Sequence, residues 1–124
     1  WSSGADKLHF PAALLTNAIG TEADTLVTIN TTGTVTNATR FLEIDDTVAN
    51  AGQTGVAITT LNALTTTAVA IGDSFIAGIT DNTDYYLYLV EQVSTADTIA
   101  AQDVTLIGRL KGVTDLANGD FVSY

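Results

Sequence analysis

The chain reads as a small, mainly β domain with one short helix, closed as an antiparallel sandwich or a flattened barrel. Three observations predict this. Threonine is the commonest residue and β-branched side chains recur throughout, which suits a pleated, half-buried surface. Short apolar runs are separated by Gly, Asn and Asp clusters of the kind that make turns. The 124 residues match the length of a single domain able to bury one core without staples, so 1–124 is treated as one unit with residues 1–10 as an amino-terminal arm.

Taken in order, Leu8 and Phe10 alternate as on a half-buried strand, and Pro11 cannot donate to a ladder, so an edge strand ending there is expected. Residues 24–29 and 33–36 are β-branched and flank Asn30-Thr31-Thr32-Gly33, a hairpin-like turn. Residues 40–44 alternate again and stop at Asp45-Asp46, a carboxylate pair expected in a solvated turn or a helix cap. Between residues 46 and 64, Ile58, Leu61 and Leu64 recur at helical spacing and predict the one helix. Residues 68–71 and 74–79 follow as strands around Gly72-Asp73. Tyr85 to Val90 is apolar on both faces and predicts the central strand. In 104–111, Val104, Leu106, Gly108 and Leu110 are expected to face inward, and Thr105, Ile107, Arg109 and Lys111 outward.

Composition excludes several functions. Fourteen acidic residues against four basic ones give a net charge of −10, which repels nucleic acid phosphates and anionic membranes. Without cysteine there is no disulfide, thiolate metal site or thiol nucleophile. Apolar runs fall short of the roughly 18 residues of a membrane span, so no membrane insertion is expected. The opening Trp1 leads to the expectation of either a processed or excised piece or a sequence whose start is not included. The lone histidine, His9, suits a partly buried strand residue better than a general base, and no G-x-S-x-G, phosphate loop or zinc spacing occurs. The chain is therefore read as a non-enzyme.

The order Gly72-Asp73-Ser74-Phe75-Ile76-Ala77, then Thr80-Asp81-Asn82-Thr83-Asp84, then Tyr85-Tyr86-Leu87-Tyr88-Leu89-Val90, then Ala96 to Ile107 and Gly112-Val113-Thr114-Asp115-Leu116 resembles the acidic carboxy-terminal module of bacterial surface proteins exported by type I secretion, the RTX-related adhesins and S-layer proteins. The resemblance implies an extracellular or cell-surface structural role. It departs from that pattern where Gln92-Val93-Ser94-Thr95 replaces a Gly-Asp-Asn-rich loop, and the glycine-rich RTX nonapeptide is absent.

Four expectations follow. Calcium is the ion the composition invites, with Asp81, Asn82 and Asp84 as oxygen donors at one turn and Asp73 at the far end of the strand leading into it; an Asx-capped turn accounts for the same residues. The partner is the chain itself, as homo-oligomer or polymer: Trp1, Leu8 and Phe10 are candidates for an arm that adds to a neighbour's sheet, Arg109 and Lys111 for docking carboxylates, and Tyr124 for an apolar contact. A viral capsid decoration or fibre domain is the alternative. A carbohydrate-binding module, with glycan stacked on Tyr85, Tyr86 or Tyr88, is a third reading.

Overall fold

In the computed structural model, residues 5–11, 26–93, 96–117 and 119–123 are described here. They form β1 (Leu8–Phe10), β2 (Leu26–Ile29), β3 (Thr34–Thr36), β4 (Phe41–Ile44), α1 (Thr54–Asn62), β5 (Thr65–Thr67), β6 (Ser74–Thr80), β7 (Asp84–Glu91), β8 (Val104–Lys111) and β9 (Phe121–Ser123). The described residues are mainly β with one α-helix, and their sheets are open rather than closed into a barrel.

A five-stranded sheet in the order β2-β4-β6-β7-β8 is the frame. Its β2, β4 and β6 are parallel neighbours, whereas β6, β7 and β8 are antiparallel. Connection length accounts for two of these pairings. Only Asp81, Asn82 and Thr83 separate β6 from β7, too few to do anything but reverse the chain, while the crossover from β4 to β6 is long enough to return parallel and carries α1. Two small parallel sheets, β1-β9 and β3-β5, complete the fold.

Two cores lie on opposite faces of the frame. On one, Leu42, Ile44, Phe75, Ala77, Ile79, Tyr88 and Val90 pack beneath Ala57 and Leu61 of α1 and Val35 of β3. On the other, Phe41, Ile76, Tyr85 and Leu87 pack beneath Val113, Leu116 and Phe121, with Leu8 and Phe10 against them. The chain is thus layered on both sides of its largest sheet. All seven residues of β6 are buried, so β6 is the central strand. β7, expected there, is its interior neighbour.

Asn30 to Gly33 makes a turn, with Gly33 N–H donating to the Asn30 carbonyl at 3.0 Å and Thr32 N–H to Asn30 Oδ1 at 3.0 Å, but it does not join a hairpin. β2 pairs with β4 and β3 with β5. A two-residue hairpin favours left-handed backbone at its centre; among the described residues Thr31 and Thr32 are not in that region, as their β-branching dictates. Asp46 clamps the same turn, its Oδ2 accepting Thr31 N–H and Oγ1–H at 2.8 Å each, and is no helix cap. Residues 68–71 are not a strand either. Ala68 takes φ 58° and ends β5.

Candidate functional site

The antiparallel half presents one strand to the outside. Among the described residues β8 is the last strand of the sheet, and its residues after Val104 are exposed or half-buried. Among the described residues the large exposed apolar side chains are Ile71, Val93, Leu106 and Ile107; the last two are adjacent at the middle of β8, 41% and 43% accessible. A long edge strand with apolar residues at its centre offers unpaired backbone donors and acceptors to another strand.

A bulge shapes this edge. Leu87 opposes Gly108 and Tyr88 opposes Leu106, leaving Ile107 as the extra residue. The alternation expected across 104–111 therefore breaks at its midpoint. Arg109 opposes Tyr86 and so shares a face with Leu106, not the opposite one. The period-two reading of the sequence has no means of placing a bulge.

Arg109 is bound within its own chain. Its Nε donates to Asp84 Oδ2 at 2.8 Å and Nη2 donates to the same oxygen, while the guanidinium lies 5.8 Å from the Tyr86 ring centroid. Asp84 Oδ1 accepts Gly112 N–H at 2.7 Å. That backbone donor and then Arg109 hold the Asp84 carboxyl below its ordinary value. The docking role expected of Arg109 is thus met by an internal carboxylate, and Lys111, exposed and opposite Asp84, is the cation at this end of β8.

The four residues expected around calcium do not form one site. Asp73 caps its own turn at the start of β6, its Oδ2 accepting Ala70 N–H at 2.7 Å, whereas the others lie at the far end of that strand. Asp81 Oδ1 accepts Thr83 and Asp84 N–H at 2.9 Å each, and Oδ2 accepts the Tyr86 hydroxyl at 3.1 Å. These bonds, led by the one from Asp84, lower the Asp81 pKa. Asn82 supplies the left-handed residue of the turn at φ 68°. Among the described residues no group of three or more His, Cys, Asp or Glu side chains is placed to hold a metal.

The arm is internal as far as it is described. Leu8 and Phe10 belong to β1, which pairs in parallel with β9 of the same chain, and the Phe10 ring lies 5.9 Å from Phe41 and 6.2 Å from Phe121. An apolar core behind the strand holds it in place, so these two are engaged within their own domain. Trp1 and Tyr124 lie outside the described residues. His9 is exposed on β1.

Of the three tyrosines of β7, Tyr85 and Tyr88 are fully buried. Tyr88 donates to the Ala51 carbonyl at 2.5 Å, and burial pushes its hydroxyl pKa up to about 12. Tyr86 alone borders an open cleft of about 390 Å³ between the start of α1 and the end of the sheet, with Gly52, Gln53, Asp81, Leu106 and Arg109 around it. Among the buried carboxyls that sequence reasoning missed is Glu43, whose side chain is sealed behind β4: Oε1 accepts the Tyr85 hydroxyl at 3.0 Å and Leu116 N–H at 3.2 Å, and Oε2 accepts Thr28 Oγ1–H at 3.2 Å. Its burial raises its pKa. Gly78 is the available signal, because a Cβ there would lie 2.2 Å from the Tyr85 hydroxyl oxygen; only glycine lets that ring cross β6 to reach Glu43.

Compared with known proteins, the chain matches no family model, no curated protein and no solved structure. No helix among the described residues is long and apolar enough to cross a membrane.

Proposed function

We propose that this chain is an extracellular structural module, of the surface-layer, filament or adhesin kind, whose work is to associate with copies of itself by strand addition at β8. The observation that carries the reading is the eight-residue edge strand with Leu106 and Ile107 exposed at its centre. Monomeric β-proteins protect such edges with short strands, central charges, proline or a covering element. Here the one bulge tilts the strand, the charges sit at its end, and the middle is apolar.

Charge and composition support an extracellular setting. A net charge of −10 keeps the free chain soluble and resists indiscriminate association, while the cysteine-free composition and the resemblance of residues 72–116 to type I-secreted surface modules favour an exported structural protein over an enzyme. Calcium is not needed for the contact, because the oxygens of Asp81 and Asp84 already accept hydrogen bonds from their own chain.

Sedimentation velocity and negative-stain electron microscopy of the purified chain test this. Concentration-dependent oligomers, fibres or sheets are expected. A chain that stays monomeric across the concentration series contradicts the proposal.

A further inference from the structure

We infer that two copies of this chain join their β8 strands antiparallel about a two-fold axis near Ile107, making one continuous ten-stranded sheet from two five-stranded ones. The inference rests on the self-association proposed above and specifies its first contact.

The pattern along β8 argues for this geometry. Its apolar exposed side chains, Leu106 and Ile107, occupy the middle of the strand, and its exposed cations lie toward one end, Arg109 bound to Asp84 and Lys111 beyond it. A two-fold axis through the middle lays each copy's Leu106 and Ile107 beside the other's, which places an apolar patch at the centre and charge at the rim, the usual anatomy of a stable interface. Gly108, next to the axis and only half-buried, adds no side chain to obstruct the approach.

Charge selects the direction. At the other end of β8 the exposed charge is negative: the neighbouring β7 ends on the exposed Glu91, while Asp103, just before β8, is buried and accepts Val93 and Ala100 N–H. Antiparallel pairing carries the Lys111 of each copy to the acidic end of its partner. Parallel pairing would set Lys111 beside Lys111 and acidic end beside acidic end, which like-charge repulsion disfavours.

The opposite edge is a poorer mate. β2 has four residues, so β8 against β2 would form half the ladder that β8 against β8 forms. Each two-fold pairing also consumes both β8 edges, which makes the dimer a closed unit. Growth beyond it would use other surfaces.

The chain has no native cysteine, so the single-cysteine variant Thr105→Cys, at an exposed position that leaves Lys111 in place, carries one spin label per copy without competing sites. After circular dichroism has verified the fold, electron spin distance measurements are made on the associated protein. With about 3.4 Å of rise per residue and the axis at Ile107, the inter-copy backbone separation expected at position 105 is ~14 Å. A separation near the ~5 Å of neighbouring strands in register would mean parallel addition and would overturn the inference. Sedimenting oligomers with no label pair in the ~14 Å range would also overturn it, while leaving self-association standing. A monomer in sedimentation would overturn both.

Discussion

Adjacent tyrosines on β7 feed two polar networks of opposite character. Tyr85 points into the sealed face and reaches Glu43 at 3.0 Å, in a network closed by Thr28 and Leu116. Tyr86 points to the other face, at the rim beside β8, where it bonds Asp81 at 3.1 Å and lies under Arg109. Burial raises the pKa of the first network's carboxyl, whereas donated hydrogen bonds lower those of the second, Asp84 and Asp81. The sealed network ties the parallel strand β4 to the antiparallel strand β7 and fixes the fold. The rim network holds the end of β8 in one conformation while leaving the middle of that strand open.

The largest loss should follow from Gly78→Ala. The new methyl would occupy the space of the Tyr85 hydroxyl and Cε1, 2.2 Å away in each case, so the ring must leave and Glu43 loses one of its three donors. Overpacking plus the lost buried hydrogen bond should cost ~3–5 kcal/mol, seen as a large drop in the urea midpoint. Tyr85→Phe keeps the ring and removes only the hydroxyl. It should cost ~1–3 kcal/mol, and an unchanged midpoint would show that Leu116 and Thr28 satisfy Glu43 by themselves.

The rim network predicts a smaller, pH-dependent effect. A carboxyl whose pKa is lowered in the folded state contributes stability above its ordinary value, 3.8 for Asp84, and that contribution disappears as pH falls through the lowered value. Glu43 has the opposite sign: its raised pKa favours the fold below the ordinary 4.5 and ceases to as pH rises through the folded value. Asp84→Asn should therefore reduce the melting temperature at neutral pH by less than Tyr85→Phe does, and flatten its fall in acid. A parallel shift of the whole pH profile would mean that Asp84 acts by packing alone.

Calcium should give the smallest effect. With the Asp81 and Asp84 oxygens already bonded, millimolar calcium chloride is expected to raise the melting temperature no more than sodium chloride of equal ionic strength, through screening of the net charge. A calcium-specific rise would locate an ion outside the turn described.

Strand positions were largely legible in the sequence because alternation and turn residues are local signals. Leu8–Phe10 and Val104–Lys111 fall where the pattern placed them, and the helix lies inside the 46–64 segment. Pairing was not legible. That β2 skips its sequence neighbour for β4, and that β6 rather than β7 is central, depends on contacts between distant residues. The expected outward face of β8 failed at a single residue, Ile107, because a bulge inverts every later position while leaving composition unchanged. Glu43 was hidden in the same way: in Phe41-Leu42-Glu43-Ile44 it reads as a solvent-facing residue, and only the distant Gly78 and Tyr85 explain why all four are buried.

The central claim, that the β8 edge carries self-association, is tested most directly by sedimentation velocity on the double variant Leu106→Lys, Ile107→Lys. Both side chains are exposed, so the monomer should keep its circular dichroism and melting temperature, while two inserted charges in the middle of the edge block strand addition. The account predicts a folded monomer at concentrations where the parent chain forms oligomers. Oligomers of unchanged size in the folded double variant would contradict it.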